Sequence, residues 1–236
     1  MKNVIALLFF VLATINVSAS PPGSYRTENR NLKDFHAVKV SAGIDLYLKM
    51  GDAETVKVEA DEDIIDRIIT EVKDGTLHIY MKSTNKIFNW NFNTGTKKVY
   101  VSVKELDEID ASSGSDVVSE NTLTGETLDV EASSGSDVTL DVVYKNFSLD
   151  VSSGSDARIS GKTKNFTAEA SSGSDIKAKD LESVNCKVKV SSGADASVNV
   201  TNELYARASS GGDVSYYGNP QVKDINESSG GDVRRR

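Results

Sequence analysis

Residues 111–117 read Ala-Ser-Ser-Gly-Ser-Asp-Val, and this stretch decides the fold because it returns throughout the second half of the chain. Seven copies occur in all, the other six at residues 132–138, 151–157, 170–176, 190–196, 208–214 and 227–233. Their central glycines are 21, 19, 19, 20, 18 and 19 residues apart. An eighth, more divergent copy occupies residues 40–46. This regularity predicts a solenoid, in which each repeat packs only on its neighbours.

The alternation of residues within one repeat indicates β-strands. Around the second copy, Leu128, Val130, Val138 and Leu140 share one parity, while mainly polar residues occupy the other. That period of two is typical of a strand with one solvated face. A coil of about 19–20 residues has room for two or three short strands, each pairing in parallel with the next coil at roughly 4.8 Å. The sequence therefore predicts an all-β fold, a right-handed parallel β-helix or β-solenoid.

The same parity predicts how the Ser-Ser-Gly-x-Asp core of each copy is oriented. The second Ser and the x residue face inward, and x is Ser, Ala or Gly in all seven copies. The first Ser, the Gly and the Asp face outward, each in a column along the solenoid. The outward serines are Ser112, Ser133, Ser152, Ser171, Ser191, Ser209 and Ser228. The outward aspartates are Asp116, Asp137, Asp156, Asp175, Asp195, Asp213 and Asp232.

The aspartate column needs compensation for its charge. Two carboxylates roughly 4.8 Å apart repel each other by about 0.9 kcal/mol even in bulk water. Backbone N–H groups at the Gly corner are one source, because an Asp after Gly commonly closes such a turn. Calcium ions between carboxylates are the alternative. The repeat lacks the double-glycine nonapeptide of calcium-binding β-rolls, so we favour turn closure and predict no metal or other cofactor.

The chain divides into five segments. Residues 1–19 contain an apolar run and end in small residues, which predicts a secretory signal peptide cleaved between Ala19 and Ser20. Polar, aperiodic residues at 20–34 predict a disordered lead. Residues 35–110 hold the first coil and a capping hairpin insertion, residues 111–233 the regular coils, and residues 234–236 a basic tail.

The segment 35–110 separates the eighth copy from the regular coils. Isoleucines at helical spacing predict one short helix within residues 61–69. Asp74-Gly75 predicts a hairpin turn, and residues 99–103 read as a strand. We expect this insertion to cap one end of the solenoid, where an open sheet edge invites aggregation.

Composition restricts the location and the partners. No stretch after the signal segment is long and apolar enough for a transmembrane helix. We therefore expect an exported protein of the periplasm, the outer cell surface or the extracellular space. The net charge of −8 argues against nucleic acid as a partner. The oligomeric state stays open.

Few side chains point to catalysis. His36 and His78 have no partner at metal-ligand spacing, and Cys186 falls on the inward parity of a strand. Acidic residues recur in every coil, whereas a catalytic site requires one distinct constellation. We predict a non-catalytic interaction module, with a polysaccharide lyase or hydrolase and a calcium-stabilised structural solenoid as alternatives.

Aromatic residues are the first candidates for ligand binding. Tyr205, Tyr216, Tyr217 and Trp90 are the residues that we expect at the surface, although packing in the core or end cap explains them equally well. The serine column also resembles a surface that binds a crystal or polymer, but the aspartate column beside it counts against that role. The predicted partner is a glycan or a surface protein.

Several of these features together resemble a known family. They are residues 40–48, the acidic stretch 61–66, the Lys-Asp-Gly-Thr-Leu-His-Ile sequence at 73–79 and the Ser-Gly coils. In this order they are similar to the head GIN domain family, the auto-transporter adhesins of Bacteroidetes, over residues 35–215. Gly43 and Ile44 match the motif of the family's name, with Asp45 in place of Asn. The resemblance implies a secreted right-handed parallel β-helix with an adhesive function.

Overall fold

The computed structural model describes residues 24–82 and 95–236, and over these residues the chain is a β-solenoid. Seventeen strands in the described ranges join in one hydrogen-bonded sheet that winds around a continuous apolar core. The pairing between the regular coils is parallel throughout, which confirms the predicted architecture. The predicted signal segment 1–19, its cleavage site at Ala19 and Ser20, and Trp90 lie outside the described residues.

The first nine strands build the N-terminal end. They are β1 (Tyr25–Arg30), β2 (Ala37–Val40), β3 (Asp45–Met50), β4 (Thr55–Asp61), β5 (Ile68–Lys73), β6 (Thr76–Met81), β7 (Lys97–Val103), β8 (Glu108–Ala111) and β9 (Asp116–Ser119). One 3₁₀ turn, Ile65–Arg67, precedes β5.

The remaining strands form the regular coils. They are β10 (Leu123–Ala132), β11 (Asp137–Val151), β12 (Asp156–Ala170), β13 (Asp175–Val190), β14 (Asp195–Ala208), β15 (Asp213–Tyr217), β16 (Val222–Glu227) and β17 (Asp232–Arg235). Each Ser-Ser-Gly corner separates two walls. We call the wall that precedes the corner wall A (for example 147–151) and the wall that follows it wall B (for example 156–160).

The strands inserted between the eighth copy and the regular coils lie at one end of the solenoid. In wall A, β2 lies between β6 and β8, and in wall B, β3 lies between β7 and β9. The eighth copy is therefore a true coil, stacked directly on the first regular one. The strands β6 and β7 form a further coil on its outer side. The Asp74-Gly75 turn joins β5 and β6 as an antiparallel hairpin, which confirms the hairpin predicted from the sequence.

Two predictions for this end are wrong. Residues 25–30, expected in a disordered lead, form β1, which pairs antiparallel with β4 and satisfies backbone groups of an otherwise open edge. The helix expected within 61–69 is reduced to the 3₁₀ turn, and the chain continues as β5. Ile64, Ile65 and Ile68 are buried. Their spacing reflects a tight turn packed on the core.

Corner geometry explains a third wrong prediction. Ser113 and Gly114 have φ values of 56° and 71°, and the equivalent pair repeats this in every regular copy. Two successive left-handed residues interrupt the strand alternation, so the second Ser is exposed where the parity predicted it inside. The x residue does face inward, and Ser115 is fully buried.

The interior columns keep the register of the coils. One column beneath wall A consists of Leu128, Phe147, Phe166, Cys186 and Leu204. The two phenylalanine rings stack with centroids 5.4 Å apart. The single cysteine is therefore a core residue, and burial raises the pKa of its thiol to about 12.

Candidate functional site

At each corner, backbone N–H and carbonyl groups form hydrogen bonds between neighbouring coils. The N–H of Gly114 donates to the carbonyl of Ser134 at 3.1 Å, and the N–H of Asp137 donates to the carbonyl of Ser115 at 3.2 Å. The same two bonds recur along the regular coils. The corner is therefore a continuation of the parallel ladder rather than an open ring of donors for a ligand.

Buried hydroxyls fill the inside of the first four regular corners. Ser136 donates its hydroxyl to the Ala111 carbonyl at 2.9 Å, and the Ser155 hydroxyl accepts from the Ser136 N–H at 3.1 Å. Further along, Ala194, Gly212 and Gly231 replace serine. A Cβ atom on Gly231 would lie 2.4 Å from the carbonyl carbon of Ala208, so the last corner has no room for a side chain.

The predicted aspartate column exists in the predicted register. Asp137 pairs with both Asp116 and Asp156, and the pairing continues to Asp232. Burial, with the neighbouring Asp137 carboxylate as the next cause, raises the pKa of Asp116. At this end of the column, the Asp137 carboxylate therefore acts unfavourably on ionised Asp116.

Cations supply part of the compensation. Lys177 lies 3.1 Å from the Asp156 carboxylate and 3.3 Å from that of Asp175, and Arg234 pairs with Asp232. The corner glycine N–H groups bind carbonyls instead of carboxylates, whereas the backbone of Asp137 hydrogen-bonds the Asp116 carboxylate and acts to lower its pKa. Within 24–82 and 95–236, no three His, Cys, Asp or Glu side chains converge in a way that could hold a metal ion.

An asparagine ladder at a second corner was not predicted. Asn165 donates its amide to Asn146 at 2.8 Å, Asn185 donates to Asn165 at 3.0 Å, and Asn202 donates to Asn185 at 3.1 Å. The sequence signal was an Asn directly before Phe147, Phe166 and Cys186. These bonds tie successive coils together at this corner.

The tyrosines predicted for ligand binding separate into different environments. Tyr216 is only 6% exposed and belongs to the core, and Tyr217 is half-buried beside it in β15. Tyr205 is half-buried on the outer side of wall A. The Arg207 guanidinium lies 4.9 Å from its ring centroid, and the Lys187 ammonium lies 5.9 Å away. Of the three, Tyr205 is the one that the structure places among charged surface groups.

The two histidines stay apart from one another. His36 Nδ1 lies 2.9 Å from the Asp107 carboxylate, which raises the pKa of the imidazole. Its backbone N–H and that of Ala37 both donate to the carbonyl of Gly75 in the capping hairpin. His36 therefore joins the cap to the first regular coil. His78 lies on β6, in register with Lys39.

The outward side of wall A is divided by charge. It carries two columns that run along the solenoid. The first is Asp110, Glu131, Asp150, Glu169, Lys189, Arg207 and Asn226. The second is Glu108, Asp129, Ser148, Thr167, Lys187, Tyr205 and Asp224. The acids occupy the half nearer the cap, and the cations occupy the two coils that follow.

Two open cavities lie along this wall. One of about 480 Å³ covers the acidic half, and within it burial, followed by the charge of Glu169, raises the pKa of Asp150. The other, of about 320 Å³, extends from Asp150 over Lys189 and Arg207 to the corner serines. Together they form a groove across several coils, which we call the wall A groove.

Ion pairs in the wall A groove are found at its two charge boundaries. Lys39 lies 2.8 Å from Glu108, and Lys189 lies 2.6 Å from Glu169. Among the residues that the structure describes, Asp150, Lys187 and Arg207 have no ion-pair partner. The groove thus presents unpaired carboxylates at one end and unpaired cations at the other.

Wall B has a cavity of about 510 Å³. Lys177 in its lining is already held by two carboxylates of the aspartate column. A register shift between Arg158 and Ser160 leaves Lys179 without a pairing partner on β12, and Lys179 is exposed next to Asp180. The lining mixes both signs of charge, without the division seen on wall A.

In the described part of the chain, no helix has the length and hydrophobicity that crossing a membrane requires. The two walls present an open surface of charged and hydroxyl-bearing side chains, which repeat once per coil. Such a surface is suited to hydrogen bonds and ion pairs with an extended molecule.

Solved structures show the same fold at low identity. A putative adhesin from Bacteroides fragilis matches with a TM-score of 0.80 at 19% identity, covering 92% of this chain and 99% of that one. A putative adhesin from Parabacteroides distasonis matches at 0.70 and 22%, with 90% and 98% covered. A putative lipid binding protein from the same species matches at 0.69 and 18%, with 91% and 98% covered.

The family assignment comes from the sequence. No curated protein matches this chain. The family model described as "Putative auto-transporter adhesin, head GIN domain" matches residues 34–220, which is most of the regular solenoid together with its cap. The chain therefore belongs to the head GIN domain family of putative auto-transporter adhesins.

Proposed function

We propose that this chain is an exported, non-catalytic adhesin that binds an extended glycan or protein along the wall A groove. The observation that carries the proposal is the charge division of wall A, with unpaired acids toward the cap and unpaired cations two and three coils beyond Asp150. Family membership supports the adhesive role. The export component depends on the predicted signal peptide at residues 1–19.

The geometry of the wall favours a long ligand. Outward side chains repeat once per coil, at roughly 4.8 Å, over the whole length of the regular coils. Each contact is exposed and therefore weak, because water competes for charged and hydroxyl groups. A polymer that spans several coils makes many such contacts at once, which is how a shallow surface reaches useful affinity.

One observation favours the enzymatic alternative. Asp150 lies in a cleft with a raised pKa beside another acid of the next coil, Glu169. An acid of raised pKa near a second carboxylate is what a glycoside hydrolase uses as its proton donor. The same acids recur coil after coil on this wall, which is the reason we favour binding over cleavage.

The experiment applies the purified full-length chain to immobilised polysaccharides and surface proteins, and analyses the soluble fraction for released sugar. We expect retention without release. The variant Asp150→Ala/Arg207→Ala, which removes one unpaired charge of each sign from the wall A groove, should weaken retention, whereas Asp52→Ala/Lys164→Ala, at exposed sites outside the groove, makes the same change in charge and should not. Sugar release that disappears in Asp150→Asn would establish the hydrolase instead. Retention unchanged by the wall A variant would place binding elsewhere.

A further inference from the structure

The basic half of wall A gathers cations on two coils: Lys189 and Arg207 line the wall A groove, and Lys187 and Tyr205 lie beside it. Lys187 and Lys189 lie on β13, and Tyr205 and Arg207 lie in register with them on β14. We call these four residues the basic subsite. In a chain with a net charge of −8, three cations on two adjacent coils are a local reversal of charge. Stacked like charges repel each other unless an anion lies between them.

The chain neutralises only part of that charge. Lys189 is held by Glu169 at 2.6 Å. Lys187 and Arg207 have no ion-pair partner within residues 24–82 and 95–236. Both lie near the Tyr205 ring, at 5.9 Å and 4.9 Å from its centroid. Two cations are thus left for an external anion.

Tyr205 orients the guanidinium. The Nε–H of Arg207 donates to the Tyr205 hydroxyl, and the guanidinium carbon lies 4.9 Å from the ring centroid. This fixes one edge of the guanidinium and leaves its terminal N–H groups for a ligand. Guanidinium groups bind carboxylate and sulfate oxygens through two parallel hydrogen bonds. Holding the group in place before binding reduces the entropy lost on association.

The adjoining cavity supplies hydroxyl groups. Its lining includes Ser171, Ser191 and Ser209, the first serines of three successive corners. Their backbone N–H groups belong to the ladder between coils, which fixes their positions. Their hydroxyls make no hydrogen bond within the described ranges. They repeat once per coil beside the cations, in a row that can pair with the hydroxyls of a sugar chain.

We infer that the basic subsite binds an anionic sugar unit of an acidic polysaccharide. Arg207 and Lys187 contact its carboxylate or sulfate, the exposed part of Tyr205 packs against the apolar C–H face of the sugar, and the corner serines bond hydroxyls of the neighbouring units. The inference rests on the proposed adhesive function and adds the site and the ligand class to it.

The test measures binding of the full-length chain to polygalacturonate, dextran sulfate and neutral dextran by biolayer interferometry. We expect binding to at least one of the two acidic polymers and none to dextran. The carboxylated and sulfated polymers separate the two sources of the anion. The variant Lys187→Gln/Arg207→Gln should weaken that binding by about tenfold or more. Binding should also weaken as salt is raised.

Lys162→Gln/Lys164→Gln is the matched control, because both lysines are exposed in β12 and the change in charge is the same. It should bind like the wild type, and thermal melting should show all three proteins folded. Equal affinity of the subsite variant and the control would overturn the inference, as would equal binding to dextran. If the chain binds a neutral glycan or a protein but no acidic polymer, the inference fails while the adhesive function stands. If it retains no glycan or protein at all, both fail.

Discussion

The backbone N–H of Gly154 donates a hydrogen bond to the carbonyl oxygen of Ser172, one coil further along the solenoid, at 3.2 Å. The bond is made because Ser153 and Gly154 both have left-handed backbone conformations, with φ values of 57° and 72°. The repeated motif is therefore a device for turning the chain without interrupting the ladder between coils. It follows that the glycine is required for its φ angle, since its added Cβ would meet no atom within 4 Å.

Replacing that glycine should weaken the fold through the backbone alone. We expect Gly154→Ala to lower the free energy of unfolding by about 1 kcal/mol, because an L-residue in the left-handed region is strained. Gly154→Asn should lower it less, because Asn tolerates this region better. Urea denaturation of both variants measures the difference. A larger loss for Asn than for Ala would contradict the explanation by φ angle.

Breaking the asparagine ladder should cost more in the middle than at its end. Asn165 bonds to Asn146 and to Asn185, whereas Asn202 donates only to Asn185. At about 1 kcal/mol per bond, Asn165→Ala should destabilise the protein by about 2 kcal/mol and Asn202→Ala by about half of that. Chemical denaturation of the two variants provides the comparison. Equal losses would show that the amide bonds contribute little.

The contact between His36 and Asp107 should make stability depend on pH. Asp107 raises the pKa of His36 above its ordinary value of 6.5, so the folded state binds the proton more tightly than the unfolded chain. The resulting stabilisation is fully present below the unfolded pKa and is lost as pH rises through the folded pKa. Both side chains are half exposed, so the effect should stay below about 1 kcal/mol.

Melting temperatures of the wild type and Asp107→Asn at about pH 5.5 and about pH 8.5 measure this contribution. The wild type should be the more stable of the two at the lower pH, and the gap should narrow at the higher one. The opposite trend, or a constant gap, would rule out a role for the protonated imidazole in joining the cap to the first regular coil.

The thiol of Cys186 should be unreactive in the folded protein. It is 3% exposed in the column between Phe166 and Leu204, and burial raises its pKa to about 12. Only the thiolate reacts with a disulfide reagent. Native protein at about pH 8 should therefore react with Ellman's reagent only as fast as it unfolds, while denatured protein should react at once. Rapid labelling of the native chain would show that this column opens locally.

The sequence by itself determined the solenoid, the parallel pairing and the aspartate column. These depend on two local features of the sequence, the Gly-to-Gly interval and the alternation of apolar residues. The inward orientation of the x residue of each corner could also be predicted locally, because that residue is small in every copy from Ser115 to Gly231. Strand parity is a property of each segment alone.

Only the tertiary structure decided the orientation of the second corner serine, the arrangement of the strands at the capped end and the contacts between side chains of neighbouring coils. The alternation predicted that Ser113 faces inward, and this was wrong because Ser113 and Gly114 both have left-handed backbone conformations. The strand pattern of the sequence does not reveal that conformation. The place of β6 and β7 outside the first coil, and the strand at residues 25–30, depend on which edge is left open once the coils have stacked. Tyr205 lies beside Lys187 because of the register between their coils. Coil lengths vary from 18 to 21 residues, so this register depends on where the extra residues are accommodated as shifts in strand pairing.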